Sequence, residues 1–224
     1  MHGIDQGDAT GRAYLILRER IVSGGLLPGS RVSEHDLAAE LGVSRTPVHE
    51  AVRRLAGEQL IEVRPRAGTF VTRISAAALE EALLVRGALE LMVVEKAAER
   101  ASVDALARLR AALARQADSA RAGDSAQFRL IGDEFHAGLA AAAGMAGVWQ
   151  LVRQSKTHLD RYRTLVSPAA RMTAALIEHG DILRAIETRH PGRAAQAMRT
   201  HLRHVVPGLN VALALKPEYV TARS

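Results

Sequence analysis

The chain has 224 residues, more than one ordinary domain needs, and 48% of them are hydrophobic while only 3% are aromatic. It has no cysteine, which excludes disulfides and thiolate metal sites and leaves Ala, Leu, Val and Ile to fill closely packed helices. No apolar run approaches the roughly 20 residues that span a membrane, and the opening MHGIDQGDATGR lacks the hydrophobic segment of a signal peptide, so a cytoplasmic protein without membrane contact is expected.

The formal net charge is +6, and 27 of the 30 basic residues are arginine, which suits a phosphate-bearing partner. Residues 1–73 are nearly balanced, with ten arginines against nine acids, but within 45–73 arginines outnumber glutamates six to three. Residues 33–58 read SEHDLAAELGVSRTPVHEAVRRLAGE. Leu37, Ala38 and Leu41 fall on one helical face, and Val43, Val48, Val52 and Leu55 on the next. Ser33 and Ser44 stand where N-cap oxygens are wanted, and Gly42 where a left-handed residue would stop the first helix. Pro47 falls inside the first turn of the second helix, where a missing N–H costs little. Two short helices about a Gly-Val turn, the second basic, make the pattern of a helix-turn-helix reading DNA; an ordinary helical hairpin is the plain alternative.

The next residues favour the first reading. Leu60, Ile61 and Val63 alternate with Glu62 and Arg64, RPRAG supplies a turn, and Thr69, Phe70 and Val71 form a second β-prone run. Two strands about a basic turn make a wing, with Arg64 and Arg66 beside the duplex and Gly68 allowing close backbone approach. Over roughly residues 12–73, from AYLILRERIVSG through LLPGSRVSEHDLAAELGVSRTPVHEAVRRLAGEQLIE to RPRAGTFV, the chain resembles the GntR-type winged-helix transcription regulators. The resemblance implies that Arg45 and Thr46 contact DNA, that Arg53 lies close to its backbone, and that Gly68 and Thr69 bring the wing to the minor groove. His35 and His49 depart from it, since arginine is usual at both positions. A histidine carries at most one charge and lacks the bidentate fork, so recognition there should be weaker, more pH-sensitive and directed to a different operator, unless both side chains are merely solvated.

Beyond Arg73 the pattern is helical, with no further strand-like alternation. Six helices are predicted: one capped by Ser75 and running to about 99, then 103–122, 124–142, 148–166, 169–190 and 193 to about 206. Short turns between them indicate a bundle, and LKPEYVTARS reads as a loose tail. The predicted fold is therefore mainly α, a winged helix-turn-helix with a small β-wing over 1–73, an all-α bundle over 74–208, and a tail over 209–224.

VRGALE, DEFHAGLAAAAG and EHGDILRAIETRHPGRAAQAMRTHL make residues 75–208 similar to the FCD effector domain of the FadR subfamily of GntR regulators. Those segments hold Asp133 and His136 three apart on one helix, and His179 and His201 on two later ones. Imidazole and carboxylate suit Zn²⁺, with Ni²⁺ or Mn²⁺ as alternatives, and bundle interiors commonly house such sites. In the family one acid and three histidines hold the metal, but relatives usually carry the acid four residues before the first histidine, which here is Gly132. Asp133 either reaches the metal after a modest rotation, or points aside and leaves three histidines and water, or marks a lost affinity. His158, His190 and His204 read as structural or solvated.

The resemblance further implies that metal and arginines bind a small carboxylate effector. Arg86, Arg161 and Arg163 are candidates to grip it with a guanidinium fork, against ion pairs with Glu90 or Asp160 as the alternative. The expected whole is a homodimeric repressor, not an enzyme, on a pseudo-palindromic double-stranded DNA operator. The rivals are a helical metalloenzyme with an accessory DNA-binding module, and a repressor that senses the metal alone.

Overall fold

The computed structural model describes residues 6–166, 170–205 and 217–221. The N-terminal part runs α1 (Gln6–Val22), β1 (Arg31–Val32), α2 (Glu34–Leu41), α3 (Arg45–Gly57), β2 (Ile61–Arg64) and β3 (Gly68–Val71). The strands form an antiparallel sheet in the order β1-β3-β2, with Arg31 opposite Phe70 and Val63 opposite Thr69. Leu17, Ile21, Val48, Val52, Leu55, Leu60 and Val71 close one core beneath it, with Leu41 and Val43 packed at its margin.

The two central helices are capped unequally. The Ser33 side chain accepts the Asp36 N–H at 3.2 Å, and Gly42 takes φ 65°, so the chain leaves α2 through a left-handed residue. Ser44 differs from expectation: it holds the N-cap position of α3 but makes no side-chain cap bond. Ser33, Ser75, Ser102 and Asp124 all cap the N–H three residues on. For Ser44 that residue is Pro47, which has no N–H to give.

After a short strand β4 (Ile74–Ser75) come α4 (Ala76–Arg100), α5 (Val103–Arg121), α6 (Ser125–Ala142), α7 (Ala146–Ser155), α8 (Thr157–Val166), α9 (Ala170–Glu187) and α10 (Pro191–Val205). A 3-10 turn at Pro217–Tyr219 leads to β5 (Val220–Thr221). Val93, Leu109, Ile131, Phe135, Leu139, Ile182, Ile186 and Met198 fill the bundle's core.

Three expectations are corrected. The stretch 148–166 is two helices, so the described residues contain seven helices after the wing rather than six. The break at Lys156 lets α7 lie on α6 and α4 while α8 turns to α1, α4 and β4. The region after Arg73 is not wholly helical, and the tail is not wholly loose: Val220 and Thr221 pair in parallel with Ile74 and Ser75. Strands of two residues carry no periodicity to read. The last predicted helix ends at Val205, and Val206 lies outside the described residues.

A third, smaller core of Ile74, Leu79, Ala82, Leu159 and Tyr162 packs β4, α4 and α8 together next to the winged part. Helix α8 forms that joint. Arg18 of α1 donates to Thr157 at 3.1 Å, and Arg161 donates to the hydroxyl of Thr72 at 3.1 Å and to its carbonyl at 2.5 Å.

Candidate nucleic-acid interface and metal centre

On the winged part, Arg45, His49 and Arg53 follow one another at four-residue intervals along the exposed face of α3, with Thr46 beside them. A cleft of about 750 Å³ separates this helix start from α2 and the wing; His35, Arg45 and His49 line it together with Gly68 and Thr69. Gly68 has φ 120°, and a Cβ there would stand 3.1 Å from Arg31 Nε, so Arg31 lies across the wing's backbone. Sequence reasoning missed Arg31, whose register opposite Phe70 exists only once β1 pairs with β3. Thr69 is buried in the central strand, paired with both Val32 and Val63. Arg64 pairs with Glu62 and stacks on Phe70 with its guanidinium carbon 4.7 Å from the ring centre. Arg66 is exposed at the wing tip with φ 62°, a left-handed conformation unusual for a long side chain.

In the bundle, α6, α9 and α10 bring His136, His179 and His201 together. One ring nitrogen from each lies within 4.8 Å of the others, and all three side chains are buried. Phe135 stacks on His179 and Trp149 on His136, holding the ring planes. Behind each ring stands an acceptor. Gln116 Oε1 is 2.8 Å from His179 Nδ1, Glu178 Oε2 is 2.9 Å from His201 Nδ1, and Glu90 Oε2 touches His136 Nδ1. The amide of Gln116 is oriented by its own Nε2, which donates to the Phe128 carbonyl at 3.1 Å. At His179 and His201, Nδ1 therefore carries the proton and Nε2 keeps a lone pair, while His136 Nδ1 sits against Glu90 without a hydrogen bond. The Nε2 of His179 is buried without a hydrogen-bond partner. Converging lone pairs cannot satisfy one another; a cation that accepts imidazole nitrogen can, so the residues fit Zn²⁺, Ni²⁺ or Mn²⁺.

Burial keeps the rings of His179 and His201 neutral. Burial lowers the His179 pKa well below the usual value, helped by His201, His136, Arg163 and Arg86. Burial, with His136 and Arg86, brings His201 down to about 3 against the pull of Glu178. Glu178 is raised by burial but brought down to about 2 by hydrogen bonds from His201, Arg171 and His204.

Asp133 is corrected: it stands outside the histidine group, and its Oδ2 lies 2.8 Å from Lys156 Nζ. Three residues before His136, it turns toward the α7–α8 break, where the buried Lys156 also pairs with Asp160 at 2.5 Å. An acid at Gly132 would require Gln116 to shift, since a Cβ there would be 2.9 Å from Gln116 Nε2 and 3.7 Å from His179 Cε1.

The arginines divide. Arg86 is buried, donates to Glu90 at 2.5 Å and leaves its Nη1 without a partner, so Glu90 bridges Arg86 to His136. Arg163 is half-buried and has no hydrogen bond or ion pair among the described residues; burial lowers its pKa, with Asp160, Arg86, Asp133 and Arg129 as charged neighbours. Arg161 is committed elsewhere, its two Nη groups on Thr72 at the joint. Gln116 and Glu178 escaped sequence reasoning, which named Glu90 only as an ion-pair partner for an arginine, because their roles depend on which ring each faces. His204, read as structural or solvated, shares Glu178 at 2.9 Å while remaining exposed.

Residues 9–71 match the family described as bacterial regulatory proteins, gntR family, and residues 81–204 match the FCD domain. A transcriptional regulator of the HTH type in an unstable DNA locus of Streptomyces ambofaciens is 37% identical, over 92% of this chain and 86% of that protein. The HTH-type transcriptional repressor RspR of Escherichia coli K12 is 31% identical, over 86% of this chain and 85% of its own length. The solved structure of E. coli McbR/YncC shares the fold, with a TM-score of 0.74 at 22% identity over 94% of this chain and 98% of that one.

Proposed function

Since the chain belongs to the gntR family of bacterial regulatory proteins and carries an FCD domain, we propose that it is a homodimeric cytoplasmic repressor that binds a double-stranded operator and releases or grips it according to a small carboxylate held at a divalent metal. It is a transcriptional regulator rather than an enzyme, as its named relatives are, and the name of RspR supports repression. In this reading residues 1–73 bind DNA, 74–208 bind the effector and dimerise, and 209–224 form a tail. Among the described residues no helix is long and apolar enough to cross a membrane.

One winged helix serves each half-site of a pseudo-palindrome, with the two recognition helices about one DNA turn apart. Arg45, Thr46 and His49 lead into the major groove, Arg53 and Arg66 meet phosphates, and His35, Gly68 and Thr69 frame the approach of the wing. In the bundle, His136, His179 and His201 hold the ion, Zn²⁺ first and Ni²⁺ or Mn²⁺ by the same donor chemistry. The bound ion supplies Lewis acidity and positive charge that favour a carboxylate. Arg86, through its unpartnered Nη1, and Arg163 offer donors to the same anion. Since coupling is reciprocal, an effector that disfavours the DNA-bound arrangement binds less well to the operator complex.

The observation that carries the effector half is the buried, unpartnered Nε2 of His179 beside His136 and beside His201, whose Nδ1 proton is engaged by Glu178. The test is native mass spectrometry with elemental analysis on protein purified without a metal-affinity tag, wild type against His179→Ala. The expected result is a dimer with about one metal per chain, lost in the variant. A metal-free dimer from wild type overturns the metal reading and leaves arginine and hydrogen bonds to hold the ligand.

A further inference from the structure

We propose that His49 reads a base through an acceptor nitrogen whose sense is set by Glu34, so that each half-site contains one position where cytosine or adenine is selected over guanine. The proposal deepens the DNA-binding reading and rests on it. His49 lies one turn beyond Arg45 on α3 and its side chain is 60% exposed, whereas the side chain of Glu34, the first residue of α2, is only 18% exposed. The two meet in the cleft between helices and wing, His49 Nδ1 standing 3.1 Å from Glu34 Oε2.

An ionised carboxylate only accepts, so Nδ1 carries the proton and donates it to Glu34. In the neutral ring Nε2 then presents a lone pair to whatever enters the cleft. In the major groove the donors are the N4 amine of cytosine and the N6 amine of adenine, while guanine offers only the acceptors N7 and O6. A ring held this way pairs with the first two and opposes the third, the reverse of what an arginine would read from the same place. Protonation converts Nε2 into a donor and inverts the preference toward guanine. The charged and titratable groups facing the ring are Arg31 from β1, Glu34, His35 and Asp36 from α2, and Arg45 from α3; the wing contributes the uncharged Gly68 and Thr69. Glu34 is thus a positioning residue: its anchored carboxylate chooses the tautomer, and the base is read by the other nitrogen.

The experiment selects bound duplexes from a random-sequence library with full-length wild type, H49R and E34Q, at pH about 8.5 and about 5.5, and compares the enriched motifs. Wild type at the higher pH is expected to favour cytosine or adenine over guanine at one position per half-site by about fivefold, the worth of one net hydrogen bond. At the lower pH that preference moves to guanine, and H49R favours guanine at both. E34Q loses most of the preference at the higher pH, because an amide accepts or donates and no longer dictates the tautomer. The same base at that position for wild type and H49R at the higher pH overturns the proposal, as does an undiminished preference in E34Q. A library from which none of the three proteins enriches any motif overturns the DNA-binding reading itself.

Discussion

Behind each imidazole of the bundle stands a different polar group, Glu90 for His136, Gln116 for His179 and Glu178 for His201, and the last two accept the Nδ1 proton so that Nε2 stays free. Partners of this sort are worth roughly 10–100-fold in metal affinity. Gln116→Leu keeps the volume and removes the acceptor; Zn²⁺ affinity measured against a competing chelator is expected to fall within that range, and an unchanged affinity would deny Gln116 its role. The same burial gives the metal-free protein a pH dependence. Burial holds His201 at about 3, and burial with the charge of Arg161 holds His158 at about 4, both below the unfolded value. The unfolded chain therefore takes up protons first as pH falls. Stability is complete above about pH 6.5 and declines from there toward pH 3–4, by at most about 1.4 kcal/mol per pH unit for each group. Urea midpoints of chelator-treated protein between pH about 8 and about 5 measure this, and a flat profile would contradict it.

Among the elements, the two helices of the DNA-reading unit are capped unequally. Ser33 closes a real cap on the Asp36 N–H, whereas Ser44 faces Pro47 and has no N–H three residues on to accept. Ser33→Ala is expected to cost about 1 kcal/mol and Ser44→Ala only a few tenths. Equal losses in chemical denaturation would show that Ser44 stabilises α3 by some other route. In α4 the buried stripe of Leu79, Ala82, Val93 and Val94 also carries Arg86 and Glu90, so this helix contributes to the core and to the histidine site from one face. The break at Lys156 does comparable work between α7 and α8, since the buried ammonium fastens both Asp133 on α6 and Asp160 on α8.

For the molecule as a whole, α8 is the contact through which bundle and winged domain meet. At its start Lys156 grips the helix that bears His136; further along, Arg18 and Thr72 fasten it to the winged side. Gly24 belongs to this joint, because a Cβ there would come within 2.9 Å of a Leu165 methyl. Arg161→Met keeps the length and removes the hydrogen bonds to Thr72, each worth about 1.5–3 kcal/mol when one partner is charged. The expected outcome is faster amide exchange at residues 70–75 and a calorimetric transition that broadens or splits, with the histidine site unaffected. An unaltered single transition would mean that the apolar core alone couples the two parts.

The winged helix was legible in residues 33–71 because its information is local: helical spacing, Ser33, Gly42, and alternation about RPRAG each act within a few residues. The three histidines were found through resemblance of DEFHAGL and the closing segment to FCD domains, not through spacing, which cannot bring residues 136, 179 and 201 to one point. Sequence by itself thus determined the class of fold, the DNA-reading unit and the ligand types available. Only tertiary structure decided that Gln116 takes the room beside Gly132, that Asp133 pairs with Lys156, that Arg161 holds Thr72, and that Val220 pairs beside Ile74. Those outcomes depend on which buried polar atoms meet across helices far apart in the chain, where an unmade hydrogen bond costs more than any local preference supplies.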